Sequence, residues 1–196
     1  MTHPLLARLR RDRTGATAVE FAILAPVMIV ALLSLMEVSY QAYVSAVLQG
    51  AVNEAGRNST LEDAGGKLAD IDTRVKAQVL TVTRGATFSS DRKSYYSFSD
   101  VSTPEPFNDA NKNGVRDANE CYEDLNGNGG FDLDRGKSGQ GGADDIVTYT
   151  MTVKYPLLFP LTKFLGWNSL RTIKATTVLR NQPYGAQAKP SAVCAL

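Results

Sequence analysis

GATAVEFAILAPVMIVALLSLMEVSYQAYVSAVLQGAVNEAGR, residues 15–57, decides how the rest of the chain is read. From Phe21 to Met36 sixteen consecutive residues are uncharged and mostly apolar, and Glu37 is the only charge between Glu20 and Glu54. As a helix rising ~1.5 Å per residue, that run reaches roughly 24 Å, a little short of a ~30 Å hydrocarbon core. Continuation through VSYQAYVSAVL supplies the missing length, and Tyr40 and Tyr43 stand where interfacial aromatic residues collect. In front of the run Arg8, Arg10, Arg11 and Arg13 oppose Asp12 alone, so residues 1–15 carry +3. Such a flank holds the N-terminus in the cytoplasm and sends the remaining chain across the membrane. The competing reading, a buried core helix, is disfavoured because the run is apolar on all sides and carries an arginine-rich flank.

A secretory signal would end in a small-residue cleavage site after the apolar run, and nothing around Glu37 to Gln41 fits one. A glycine precedes the run instead, in Thr14-Gly15-Ala16-Thr17-Ala18-Val19-Glu20-Phe21. A basic leader, a glycine, a glutamate five residues on and an apolar helix resemble a type IV prepilin. Cleavage between Gly15 and Ala16 by a prepilin peptidase would keep the hydrophobic segment and expose a new α-amino group. A carboxylate at the edge of hydrocarbon is costly unless paired, so Glu20 would seek that amine on its own or a neighbouring subunit.

The residues Gly15, Val19, Glu20, Phe21, Ala22, Pro26 and Glu37 are similar to the opening of TadE-like proteins, minor pseudopilins of tight-adherence (Tad/Flp) pilus systems. The C-terminal VTYTMTVKYPLLFP and IKATTVLRNQPY are similar to that family in style, with Gln182 where a glutamate is common. The resemblance implies a bacterial inner-membrane protein with one pass, a cytoplasmic N-terminus and a periplasmic C-terminal domain, also displayed at the cell surface if the chain enters a pilus. It implies assembly with pilins and other pseudopilins, and no enzymatic activity. Pro26 removes one helical hydrogen bond and crowds the carbonyl of Ala22, so a softened turn is expected there.

The exported part reads as α+β, a long helix packed on a small antiparallel sheet. Val44, Val47, Leu48, Ala51, Val52 and Ala55 recur at helical spacing, which carries the first helix to about Gly56. Leu68, Ile71, Val75, Val79 and Val82 mark a second helix. Strand-like stretches follow at 86–90 and 95–101. Ile146–Tyr155 alternates Val147, Tyr149, Met151, Val153 and Tyr155 with threonines and Lys154, and a last strand covers Leu170–Arg180 after a helical turn at Leu161–Trp167. The organisation expected is a leader over 1–15, the N-terminal helix over 16–56, a helical connection and first strands over 57–103, an insertion over 104–145, and C-terminal strands and tail over 146–196.

The insertion is rich in Asp, Asn and Gly. Asp109, Asn111, Asn113, Gly114, Val115, Asp117 and Glu120 reproduce the twelve-residue EF-hand calcium loop, with oxygen donors at positions 1, 3, 5, 9 and 12, glycine at 6 and a carbonyl at 7. Fifteen residues later Asp124, Asn126, Asn128, Gly129, Gly130 and Asp132 repeat the pattern, but position 12 is Arg135. Asp134 or a donor from elsewhere must then substitute. Pro104 and Pro106 leave no room for the flanking helices of a calcium sensor, so one or two calcium-ordered loops are expected, binding on the order of 10⁻⁴–10⁻³ M.

The overall charge of +1 conceals this layout, because residues 100–145 hold eleven acids against four bases, a net of −7. Near-balanced totals and no basic stretch beyond the leader argue against a nucleic-acid partner. The single histidine, His3, lies in the leader, which excludes a histidine-based triad or zinc site in the body. Cys121 and Cys194 match no metal spacing, and in an oxidising compartment their default is one disulfide. Gly136-Lys137-Ser138 lacks the upstream glycine spacing of a phosphate loop, and Asn58-Ser59-Thr60 is a formal glycosylation sequon only. The competing reading is an uncleaved, membrane-anchored calcium-binding adhesion module that never enters a filament. A membrane-bound hydrolase is disfavoured, because the acids of 104–134 sit at metal-ligand spacing.

Overall fold

The computed structural model describes residues 15–60, 67–159, 166, 169–187 and 194–195. The leader residues ahead of Gly15 lie outside that set, as does the turn expected at Leu161–Trp167 except for Gly166. Helix α1 spans Ala16–Ser59 and helix α2 spans Leu68–Leu80. The strands are β1 Thr87–Tyr95, β2 Tyr122–Glu123, β3 Lys137–Ser138, β4 Ile146–Pro156, β5 Leu170–Arg180 and β6 Cys194–Ala195. Four of them form an antiparallel sheet ordered β3-β1-β4-β5, and β2 pairs with β6 in a separate two-stranded ladder. The chain is thus α+β, with a long apolar helix and a small antiparallel sheet.

The central strand β4 shows why period two matters. Val147, Tyr149, Met151, Val153 and Tyr155 all point to one face and are at most 2% exposed. Against that face pack Val44, Leu48, Val52 and Ala55 of α1 and Ile71, Val75 and Val79 of α2, the helical stripes expected from their spacing. Fully burying a valine or leucine contributes about 1.5–3 kcal/mol each, so this contact is what binds helix to sheet. Gly56 lets α1 approach β5 closely: a Cβ there would meet Leu179 and Thr177. A polar pin joins α2 to the sheet, where Arg92 Nη2 donates to Asp72 Oδ1 at 2.5 Å and the Tyr149 hydroxyl donates to the same oxygen at 2.8 Å. The Arg92 guanidinium also lies 4.2 Å from the Tyr149 ring centroid.

Two expectations need correction. Helix α1 continues to Ser59 rather than stopping near Gly56, because Ser59 is itself buried and its hydroxyl donates to the Gly56 carbonyl. Residues 95–101 do not form a strand. Strand β1 instead runs unbroken to Tyr95, and Phe98–Asp100 is a short 3₁₀ turn. Its cause is local: the Ser97 N–H and hydroxyl both donate to Asp100 Oδ2, a capping box that diverts the backbone from the ladder.

Candidate functional site

Helix α1 has two surroundings along one continuous rod. Ten of its large apolar side chains between Phe21 and Met36, among them Ile23, Val27 and Leu35, are more than half exposed, whereas Val44 and Leu48 are fully buried. The helix is long and apolar enough to cross a membrane by length and composition. Within the exposed portion Ser34 donates to the Val30 carbonyl and Ser39 to the Leu35 carbonyl, so neither hydroxyl needs water. Gly15 is the N-cap of α1, and its carbonyl accepts the Val19 N–H at 3.1 Å. Nothing lies within 4 Å of a Cβ built on Gly15, and Ala16 and Glu20 are exposed one turn apart.

Glu37 stands where the exposed rod meets the folded domain. It is 9% exposed, and its Oε2 accepts the backbone N–H groups of Leu158 and Phe159 at 3.1 and 3.2 Å. One carboxylate thus ties the end of the apolar segment to the turn after β4. Three residues on, the Tyr40 ring meets Tyr155 edge-on and its hydroxyl donates to the Val82 carbonyl.

The acidic insertion folds into two loops with one geometry. In the first, Asp109 accepts the N–H groups of Asn113 and Gly114, Asn111 Oδ1 accepts that of Asn113, and Asn113 Oδ1 accepts that of Val115. In the second, Asp124 accepts those of Gly127, Asn128 and Gly129, Asn126 Oδ1 that of Asn128, and Asn128 Oδ1 that of Gly130. Lys112 and Gly127, at matching positions, both have positive φ, as do Gly114 and Gly129. The asparagine amides donate inward to Asp117 Oδ2 in the first loop and to Asp132 Oδ2 in the second. Among the described residues no three acidic, histidine or cysteine side chains stand together at metal-binding separation.

A glutamate fills position 12 of each loop, once from within the loop and once from outside it. Glu120 closes the first loop, its Oε1 accepting the Ala110 N–H at 2.9 Å and its Oε2 the Asp117 N–H at 3.0 Å. Glu105 makes the same two bonds to the second loop, from Leu125 N–H at 2.9 Å and Asp132 N–H at 3.1 Å. Arg135 turns away and donates to the Pro104 carbonyl and to Asp100. Asp134, the nearer candidate, is held by Lys93 Nζ at 2.6 Å and the Tyr95 hydroxyl at 3.2 Å. Burial pushes the Asp134 carboxyl up, but those bonds and the Gly136 N–H outweigh it and leave it below the usual carboxylate range.

The loops join back to back. Phe107 bridges Tyr122, the Asn108 N–H donates to the Cys121 carbonyl, and the Glu123 N–H donates to the Pro106 carbonyl. Phe131 packs edge-on against both Phe107 and Tyr122, and Arg116 lies over the Tyr122 ring at 4.6 Å. The β2–β6 ladder sets Tyr122 opposite Ala195 and Glu123 opposite Cys194, which brings the C-terminal strand beside this junction.

The comparison with known families falls on the helix. Residues 15–57 match the family TadE-like protein. The match begins at Gly15, where α1 is capped, and ends two residues before α1 does. The TadE-like segment therefore includes both the exposed apolar rod and the buried stripe, together with Glu20, Pro26 and Glu37, and it leaves the sheet and the acidic insertion outside it. No curated protein and no solved structure matches the chain.

Proposed function

We propose that the protein is a TadE-like minor pilin or pseudopilin that takes part in initiating or capping a Tad/Flp type IV pilus. The observation that carries this reading is the coincidence of the family match with a helix whose first half is apolar and exposed and whose second half is buried in a sheet. A rod of that kind serves first as a membrane anchor and then as a packing surface for neighbouring helices, pilins or sibling pseudopilins of the Tad system. Prepilin peptidase would cut between Gly15 and Ala16, and Glu20 would pair with the freed amine. The periplasmic domain would then sit directly on the membrane, with Glu37 fixing the joint.

The insertion is read as a calcium-stabilised module. Asp109, Asn111, Asn113, the Val115 carbonyl, Asp117 and Glu120 would hold one ion, and Asp124, Asn126, Asn128, the Gly130 carbonyl and Asp132 a second. Each asparagine would offer its oxygen in place of the amide now turned toward Asp117 or Asp132. Cys121 and Cys194 would form a disulfide pinning the insertion to the C-terminus. The β2–β6 ladder, which brings the strand carrying Cys194 beside the chain next to Cys121, and the lack of a free cysteine among the described residues support that pairing.

Photo-crosslinkers placed at Val27, Met28 and Leu35 in cells test the assembly reading. Adducts to other Tad subunits are expected, whereas lipid adducts alone would favour the uncleaved anchor.

A further inference from the structure

We propose that Glu105 is the twelfth-position ligand of the second calcium loop, delivered from outside that loop, so that the two fifteen-residue repeats of the insertion exchange glutamates. The proposal rests on the calcium reading above and adds a ligand to it.

The insertion is a fifteen-residue repeat that starts earlier than its loops. Glu105, Asp109, Asn111, Asn113, Gly114 and Asp117 recur as Glu120, Asp124, Asn126, Asn128, Gly129 and Asp132. In each repeat the glutamate lies four residues before the first aspartate, separated by a short extended segment. Those segments pair with each other across Phe107 and Tyr122, which are equivalent residues, and the two flanking hydrogen bonds, Asn108 to Cys121 and Glu123 to Pro106, are equivalent as well. Antiparallel pairing of equivalent residues is a local two-fold axis. It carries each glutamate across to the opposite loop: Glu120 of the second repeat closes the first loop, and Glu105 of the first repeat closes the second.

Burial points to a cation. Glu105 is 1% exposed and Glu120 4%, and no ion pair among the described residues includes either. Backbone N–H groups satisfy some of their lone pairs but bring no positive charge, and a buried carboxylate without a counter-charge is costly. A hard divalent ion with oxygen ligands supplies that charge. The position is also held in place. The Glu105 N–H donates to the Asp132 carbonyl, the Arg135 N–H donates to the Thr103 carbonyl, and the Arg135 side chain grips the Pro104 carbonyl. The residue that breaks the loop pattern therefore secures the segment that repairs it.

Equilibrium dialysis with Ca²⁺ on the full-length chain in detergent micelles decides the matter. The wild type should bind two ions, Glu105→Gln and Glu120→Gln one each, and the double variant none. A wild type that binds no calcium overturns the calcium reading itself. A Glu105→Gln protein that still binds two ions overturns the glutamate exchange and leaves the calcium reading standing. A wild type that binds one ion, lost in Glu120→Gln alone, does the same. Should Glu105→Gln fail to fold by circular dichroism, the charge-conserving Glu105→Asp takes its place. Its second-site affinity should drop at least ~10-fold with the first site unchanged, since even outer-shell changes act on that scale. Unchanged affinity at both sites rejects the proposal.

Discussion

Glu105 and Glu120 lie fifteen residues apart, and each lays its carboxylate on the second and ninth backbone N–H groups of a calcium-type loop, Glu120 on its own preceding loop and Glu105 on the one that follows. The insertion is therefore a closed pair with a small aromatic centre, not a linker. Without a bound cation its −7 charge repels itself, and hydrogen bonds, the aromatic contacts and the Lys93–Asp134 and Arg135–Asp100 ion pairs oppose that repulsion.

Calcium should accordingly protect residues 104–145 from proteolysis. Limited digestion of the whole chain with and without Ca²⁺, followed by mass spectrometry, should show cuts in this segment only after chelation. Asp109→Ala should lose protection across 109–120. Equal digestion of Asp109→Ala and wild type in Ca²⁺ would count against the first loop as a site.

The Asp72–Arg92–Tyr149 pin should make the fold sensitive to acid. Burial pushes the Asp72 carboxyl up, but hydrogen bonds from Arg92, Ser90 and Tyr149, with the guanidinium charge, outweigh it and hold the carboxyl below its ordinary 3.8. A depressed folded pKa contributes stability that is complete above the unfolded value and is lost as pH falls through the folded one. Urea unfolding should show the wild type well above Asp72→Asn at pH 6, with the gap shrinking below pH ~4. Arg92→Ala leaves the buried carboxylate without its partner and should cost about 3 kcal/mol at neutral pH. A gap between wild type and Asp72→Asn that does not change with pH would show the carboxylate charge to be irrelevant.

Gly56 reports on the helix–sheet contact. Glycine-to-leucine substitution there drives atoms into Leu179 and Thr177, the latter stiff at χ1, and should destabilise the exported domain by about 1–3 kcal/mol. Gly50 has nothing within 4 Å of a Cβ. Gly50→Ala should be neutral or stabilising by up to about 1 kcal/mol, because an exposed helix position prefers alanine. Equal effects in thermal unfolding at the two sites would mean that α1 does not dock on β5 as described.

Non-reducing peptide mapping should recover a Cys121–Cys194 pair. Reduction should lower stability by about 2–4 kcal/mol through the freed chain entropy. Both thiols found free in protein isolated from an oxidising compartment would remove the crosslink from this account.

Much of this architecture was legible in the residues because the signals were repetitive. The alternation of Val147 to Tyr155 and the helical stripes of Val44–Ala55 and Leu68–Val79 each follow one period, and packing kept them. What was missed depended on a competing local bond or on a partner distant in the chain. Ser97 and Asp100 close a capping box that no β-period reveals. Glu105 stands among prolines, and its place is set by the pairing of Phe107 with Tyr122. A repeat alignment begun at Glu105 instead of Asp109 would have exposed it, since the fifteen-residue shift carries Glu105 onto Glu120. Glu37 drew notice for its place after the apolar run, yet its bonds to the Leu158 and Phe159 backbone needed the turn after β4 to be placed.

The central claim is that this chain is processed and assembled as a pilin-like subunit. Intact-mass and N-terminal peptide analysis of the protein taken from membranes of a host carrying a Tad prepilin peptidase tests that most directly. The account predicts a mature chain beginning at Ala16, with Gly15→Val blocking the cut. A chain that begins at Met1 or Thr2 in the presence of an active peptidase would contradict it.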